Sequence, residues 1–281
     1  MEEEVTHLNH LLIFLSLYNH FQLASKYLQY YISSSNGKGH GVHSPFVFDF
    51  IKNVLRDQQQ YPCYSSIEQQ RKKLLANDAQ IEVEDFGAGS KVIRSNKRIV
   101  KDIAASSLKP KKYAQLLFRM VQYYKPVTIV ELGTSLGTTS AYLANGDPAA
   151  TLFTCEGSSS IASIAKQTFD ALQLKNIELI EGDFTKTLPL LFSKCPTADF
   201  VFIDGNHREK PTIEYFEQFL MHSTASTIMV FDDIHWSKEM ESAWAYIQQH
   251  PAVKLTIDLF FIGLVFINPD FKARQHFAIR Y

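Results

Sequence analysis

The chain has 281 residues, a length that fits one large globular domain or a domain with an appendage. Its formal net charge is −1, which excludes an overall basic field of the kind that attracts nucleic acid. Its three cysteines show no metal-type spacing, and its acidic first residues exclude an ordinary secretion signal. No apolar run near the start is long enough for a membrane span. These features predict a cytoplasmic protein.

The first 105 residues predict a mainly helical N-terminal extension. Residues 5–32 repeat apolar side chains at helical spacing, which is typical of two helices that cover a core or a dimer partner. Ser44 and Pro45 predict a helix N-cap and first turn. The segment Asp85–Ser90 looks like a nucleotide-binding glycine loop, but a basic stretch follows it, so we interpret it as an ordered loop. This segment and His40–Phe46 are our candidates for lining a substrate pocket.

Residues 106–281 predict a second unit in which strands and helices alternate, as in doubly wound α/β domains. The predicted strands are 127–131, 151–155, 177–181, 199–203 and 228–232, and the predicted helices are 113–124, 138–145, 159–172, 184–192, 210–221 and 238–249. Two further strands, 253–260 and 263–268, are separated by a short turn. We therefore predict a Rossmann-like, seven-stranded, mostly parallel sheet that ends in an antiparallel hairpin.

The stretch Val127–Gly137 predicts a buried strand, a glycine turn and a helix N-terminus, a junction that binds nucleotide-like ligands. The third glycine of the nicotinamide-binding pattern is missing. Glu131 would repel a pyrophosphate, whereas it suits the amino group and sulfonium of S-adenosylmethionine. Glu156, at the end of the next strand, is placed to accept from ribose hydroxyls with either cofactor. Asp183 and Phe184, after the third strand, are placed to contact adenine.

These motifs resemble the class I S-adenosylmethionine-dependent methyltransferases, and within them the small-molecule O-methyltransferases of the catechol and caffeoyl-CoA type. The resemblance covers about residues 111–268. It rests on the motifs Glu131–Gly137, Glu156, Gly182–Asp183, Phe202–Gly205 and Phe231–Asp233. We expect the cofactor to be bound by Glu131, Gly133, Thr134, Ser135, Gly137, Glu156, Asp183, Phe184 and Asp204.

Carboxylates follow two neighbouring strands of the predicted sheet. Asp204 follows the fourth strand, and Asp232 and Asp233 follow the fifth, so all three should share one edge of the sheet. In the catechol-type enzymes the matching positions, an Asp and an Asp-Asn pair, hold Mg²⁺, which binds the substrate hydroxyls and lowers their pKa. This chain has Asp-Asp instead, so a requirement for Mg²⁺ stays open. Without a metal, the candidate general bases are Asp204, His207 and His235.

The predicted function is methyl transfer from S-adenosylmethionine to a hydroxyl group of a small molecule. One alternative is a cofactor-binding module of methyltransferase fold that acts through a protein partner bound by residues 1–105. A nicotinamide-dependent oxidoreductase is a further alternative. Nucleic acid is not an expected partner, because no Asn/Asp-Pro-Pro-Tyr type loop follows the fourth strand. The sequence leaves open the acceptor, O- against N-methylation, and whether the chain forms a homodimer.

Overall fold

A computed structural model of the chain describes residues 17–35, 37, 43–85 and 94–281. Its helices are α1 (His20–Ser33), α2 (Pro45–Phe50, continued by the π-helical turn Ile51–Leu55), α3 (Pro62–Leu75), α4 (Val100–Ser107), α5 (Lys111–Tyr124), α6 (Thr138–Gly146), α7 (Ser159–Ala171), α8 (Phe184–Lys194), α9 (Glu209–Met221) and α10 (Lys238–Gln249). Its strands are β1 (Gln80–Asp85), β2 (Arg94–Ile99), β3 (Thr128–Leu132), β4 (Thr151–Glu156), β5 (Ile177–Glu181), β6 (Ala198–Ile203), β7 (Ser223–Asp232), β8 (Leu255–Asp258), β9 (Ile262–Phe266) and β10 (Gln275–Ala278).

The main sheet has the strand order β10-β8-β9-β7-β6-β3-β4-β5. Strand β9 is antiparallel to both of its neighbours, and the other pairs are parallel. The predicted α/β fold, with its mostly parallel sheet and terminal antiparallel hairpin, is therefore confirmed. The count of seven strands was wrong, because the sheet also contains β10. This strand has four residues, half of them polar, and lies at the sheet edge, so no apolar run marks it in the sequence.

The predicted strand and helix bounds agree closely with the structure from β3 to α10. Strand β7 begins at Ser223, five residues before the predicted start. The prediction missed these residues because they are mostly polar and exposed, so no apolar run marks them. Strand β8 ends at Asp258 rather than residue 260, since Phe260 has a φ of +70°, which turns the chain toward β9.

Apolar side chains cover both faces of the main sheet. Phe200 and Phe202 of β6 join one buried cluster, while the alternate residues Val201 and Ile203 join another. The first cluster also contains Val47 and other side chains of α2 and the turn after it. The helical residues near position 50 therefore share a core with the sheet, and a domain boundary at 105/106 stays a prediction.

The extension combines helices with a small separate sheet. Ser44 caps α2 as predicted, since its hydroxyl accepts a hydrogen bond from the Val47 N–H. Strands β1 and β2 form an antiparallel pair. Asp85 is the last residue of β1, so the interpretation of Asp85 as the first residue of a loop is wrong. The predicted loop residues 86–90, the helix expected before residue 17 and residues 40–42 of the first pocket segment lie outside the described residues. Within the described part of the chain, no helix is long and apolar enough to cross a membrane.

Candidate functional site

A cavity of about 1010 Å³ opens at the carboxyl ends of the parallel strands. Strand ends are where open α/β sheets bind ligands, and the volume is at the upper end of the range for small-molecule sites. Nine of the residues predicted from the sequence line it, namely Gly133, Ser135, Glu156, Asp183, Phe184, Asp204, His207, Asp232 and Asp233. The structure thus brings together the two sets of residues expected to hold cofactor and acceptor.

The turn after β3 is in close contact with the end of β6. Gly133 has a φ of +104°, and a Cβ built on it would lie 2.2 Å from the carbonyl oxygen of Asp204. The Asp204 N–H donates to the carbonyl of Leu132 at 2.8 Å, which holds the two segments together. Only glycine fits this position. The close approach fixes the distance between the glycine turn and the first strand-end carboxylate.

Glu156 connects the end of β4 to the glycine turn. Its Oε2 accepts from the N–H of Ser135 at 2.9 Å, and its Oε1 accepts from the N–H of Ser158 at 3.0 Å. Burial raises the pKa of this carboxyl. A carboxylate offers about four acceptor positions, so two backbone bonds leave acceptor capacity for hydroxyl groups in the cavity.

Asp183 and Phe184 form the wall beside Glu156. Asp183 caps α8 by accepting from the Thr185 N–H at 2.7 Å. The Phe184 ring packs so closely on Gly205 that a Cβ at this glycine would lie 2.7 Å from the ring. Both residues line the cavity, and contact of either one with adenine stays a prediction.

Glu131, Thr134 and Gly137 lie outside the cavity wall. The Glu131 carboxyl is fully buried and accepts hydrogen bonds from the hydroxyls of Ser140 and Thr154. Burial raises its pKa to about 7. Its Oε1 has no hydrogen-bond partner among the described residues. The structure therefore ties Glu131 to the start of α6 and to β4, and direct contact with a cofactor stays a prediction.

A lysine that the sequence analysis missed also lines the cavity. Lys109, between α4 and α5, is 8% exposed. Its Nζ donates to Asp232 Oδ2 and lies 3.3 Å from Asp204 Oδ2. It belongs to the run Lys109-Pro-Lys-Lys112, which in a sequence is typical of solvated charges, and no local signal distinguishes it.

The two carboxyls and the ammonium group form one charge cluster. Burial and repulsion by Asp232 raise the pKa of Asp204 well above its usual value. Burial also acts to raise the pKa of Asp232, but the charge of Lys109 and the hydrogen bond to Asp204 outweigh it and hold this pKa below its usual value. The opposing carboxylates raise the pKa of Lys109 despite its burial. Lys109 and Asp232 are therefore an ion pair, and the Asp204 carboxyl lies 3.3 Å from the same ammonium group.

The two candidate histidines lie in different places. His207 lines the cavity with its Nε2 3.6 Å from Asp204 Oδ1, and burial lowers its pKa. His235 does not line the cavity, because its ring nitrogens contact Asp258 at 2.8 Å and Glu241 at 3.1 Å. Of the two, only His207 can reach a ligand in the cavity without rearrangement.

Asp233, the second acid of the pair, is held by its backbone. It has a φ of +53°, and its N–H donates to the carbonyl of Phe261 at 2.7 Å. Burial raises the pKa of its carboxyl to about 7. Asp233 lines the cavity, but the described residues whose ligand atoms lie within 4.8 Å of one another are Asp204, His207 and Asp232.

These three donors would suit a divalent ion by type, since they supply carboxylate oxygens and an imidazole nitrogen. The ammonium group of Lys109, however, lies against Asp232 and near Asp204. A divalent ion bound to both carboxylates would contact this ammonium group. Mg²⁺, whose requirement the sequence left open, therefore does not fit while Lys109 keeps this position.

Comparison with known proteins finds similarity over the part of the chain that forms this site. Residues 130–234, which span β3 to the end of β7, match the family model of a methyltransferase domain. A tRNA (guanine-N(7)-)-methyltransferase from Mycoplasma mobile is 29% identical over 127 residues, which are 42% of this chain and 63% of that protein. The alignment thus spans less than two thirds of that relative.

Residues 130–234 therefore resemble a methyltransferase domain. Solved structures with this fold include an O-methyltransferase from Bacillus cereus in complex with S-adenosylhomocysteine, with a TM-score of 0.54 and 20% identity over 79% of this chain and 97% of that one. They also include the O-methyltransferase TomG from Streptomyces achromogenes in complex with S-adenosylmethionine, with a TM-score of 0.53 and 17% identity over 75% and 91% of the two chains. The resemblance inferred from the motifs is confirmed, and at these identities the structural likeness establishes the fold alone.

Proposed function

We propose that this methyltransferase domain transfers a methyl group from S-adenosylmethionine to a hydroxyl oxygen of a small molecule. The observation that carries the proposal is one cavity lined both by the glycine turn with Glu156 and by the cluster of Asp204, Asp232 and Lys109. A cavity of about 1010 Å³ is large enough for the cofactor and a small second substrate together.

The glycine-turn half of the cavity fits S-adenosylmethionine. Gly133 keeps the backbone open where a side chain would overlap Asp204, and Glu156 has unused acceptor capacity for ribose hydroxyls. Asp183 and Phe184 supply an acceptor and an aromatic face for adenine. When bound, the cofactor would supply an electrophilic methyl group on a sulfonium. Similar folds were solved with S-adenosylhomocysteine and S-adenosylmethionine bound, which supports this assignment.

The strand-end half of the cavity fits a hydroxyl acceptor. His207 is uncharged in this setting because burial lowers its pKa, so its ring can accept the hydroxyl proton. Asp204 Oδ1 lies 3.6 Å from the ring Nε2, too far for a direct hydrogen bond, but a carboxylate at this distance would favour the charged ring once it has taken the proton. The residues of both halves would align the acceptor oxygen with the methyl group, and such alignment supplies much of the rate of a two-substrate reaction.

Two alternative functions differ from this proposal in what receives the methyl group. The name of the Mycoplasma mobile relative makes tRNA a candidate acceptor, although the formal charge of −1 gives no general attraction to nucleic acid. A binding module that acts through a protein partner would keep the cofactor site and transfer no methyl group.

The test is methyl transfer from S-adenosylmethionine labelled in its methyl group. The purified protein is incubated with a set of small phenols and alcohols, with total tRNA, or with neither. We expect label in a small-molecule ether and no label in tRNA. His207→Ala should lower the rate by about 10²–10⁴-fold, whereas the control His222→Ala, which changes a half-buried histidine outside the cavity wall, should not. Label in tRNA alone, or cofactor binding without any transfer, would contradict the proposal.

A further inference from the structure

The acceptor end of the cavity is built around an ammonium group. We propose that Lys109 is the acceptor-site cation: its Nζ takes the place of a divalent ion between Asp204 and Asp232 and donates a hydrogen bond to the acceptor oxygen. The inference rests on the proposed function, because it assigns the partner of the reacting oxygen.

The position of Nζ supports the first half of this proposal. It contacts Asp232 and lies 3.3 Å from Asp204, so one cation already bridges the two carboxyls that would otherwise bind a metal together. The aromatic face of Phe202, 5.8 Å from Nζ, adds a further favourable contact for a monovalent cation. A divalent ion at a normal coordination distance from both carboxyls would meet like charge at short range.

The backbone around Lys109 fixes this position. The N–H of Leu108 donates to the carbonyl of Ala104 at 3.2 Å, which ties the segment to α4. On the other side, the carbonyl of Pro110 accepts from the N–H of Tyr113 at 2.9 Å, which ties it to α5. Lys109 therefore lies between two anchored helices, and the ammonium group is part of the folded wall.

The hydrogen-bonding capacity of Lys109 supports the second half. An ammonium group has three N–H donors; Asp232 accepts from one of them, and Asp204 lies 3.3 Å from Nζ. Lys109 lines the cavity, so the third donor is available to a ligand there. A metal ion selects neighbouring hydroxyls because both bind the ion, whereas one N–H needs one oxygen. The site therefore requires no second, neighbouring hydroxyl, and a compound with a single hydroxyl group is sufficient as acceptor.

The test measures Mn²⁺ binding by electron paramagnetic resonance, without any substrate. The variants are Lys109→Met, which removes the cation, and Lys101→Met, a control at an exposed lysine paired with Asp78. We expect the wild type and Lys101→Met to bind no Mn²⁺ tightly. Lys109→Met should bind it at least about tenfold more tightly, because two buried carboxyls then lack their cation. Adding Asp232→Asn to Lys109→Met should remove that binding.

Tight Mn²⁺ binding by the wild type would overturn the proposal, and so would a folded Lys109→Met variant that binds no Mn²⁺. If Lys109→Met does not fold, Lys109→Gln, whose amide can still donate to Asp232, serves in the same comparison. Methyl transfer that continues at an unchanged rate in EDTA would add support. The proposed function can fail independently of this proposal. In that case the wild type would not bind S-adenosylhomocysteine, while Mn²⁺ binding by the variants would still follow the predicted pattern.

Discussion

Replacing Lys109 by methionine is expected to lower the free energy of unfolding by about 3–5 kcal/mol. The physical reason is that Asp232 would stay buried as a carboxylate without its counter-charge, whereas in the wild type the ammonium group balances it. Urea unfolding followed by circular dichroism measures the loss, with the slope of the transition as a check on two-state behaviour.

A double-mutant cycle separates the lost charge from the lost packing. Adding Asp232→Asn to Lys109→Met should recover most of the stability, because the second change removes the unpaired charge. Asp232→Asn alone should cost less than Lys109→Met, since the Asp204 carboxyl, 3.3 Å from Nζ, remains as a partner for the ammonium group. Equal and additive losses in the two single variants would contradict the charge cluster described above.

Replacing Gly133 by alanine should be the most damaging single change in the glycine turn. The added Cβ would lie 2.2 Å from the backbone oxygen of Asp204 at a φ of +104°, so the overlap and the backbone strain add. We expect a loss of more than about 3 kcal/mol, or no folded protein at all. Thermal unfolding measures the loss, and binding of S-adenosylhomocysteine should disappear with it.

Gly182→Ala is the matched control for this change. Gly182 also has a positive φ, +128°, but a Cβ there would lie 3.3 Å from the methyl group of Thr187, with no backbone atom among its near contacts. This variant should show the strain alone, about 1–3 kcal/mol. If Gly133→Ala proved no worse than Gly182→Ala, the close contact between the ends of β3 and β6 would not be the feature that requires glycine.

The sequence predicted the fold well where one local pattern dominates. Each of the five predicted parallel strands is an apolar run that ends at a polar or charged residue, and helical spacing follows each run, so the sheet from β3 to β9 could be recognised. The strand at the edge of the sheet was harder to predict from the sequence. Strand β10 is short and half polar, and its pairing with β8 depends on chain folding rather than on its own residues.

The candidate site also contains residues that the sequence predicted and one that it did not. Gly133, Glu156 and Asp204 follow strand ends, and the shared edge of a parallel sheet brings them together, so their spacing in the sequence was enough to predict the cavity wall. Lys109 lies outside that pattern, in a link between two helices. Lys109 is buried against Asp232, which is 123 positions away in the sequence. The residues near Lys109 in the sequence do not predict that contact.

The histidines show a second limit of sequence reasoning. His207 and His235 both follow strand-end acids closely, and the sequence gives them equal standing as general bases. The structure separates them because Asp258, from β8, and Glu241, from α10, bind the ring of His235. Those partners come from distant parts of the chain, so only the folded structure reveals that His235 belongs to a carboxylate network outside the cavity.

The most direct test of the account is isothermal titration of S-adenosylhomocysteine into the purified wild type, Glu156→Ala and Glu181→Ala. Glu181 is the matched control, because it pairs with Glu156 in the next strand but lies outside the cavity wall. We predict micromolar binding, about −8 kcal/mol, for the wild type and Glu181→Ala, and binding weakened at least about tenfold for Glu156→Ala. No saturable heat with the wild type, or equal affinity in all three proteins, would contradict a methyl-donor site at the end of β4.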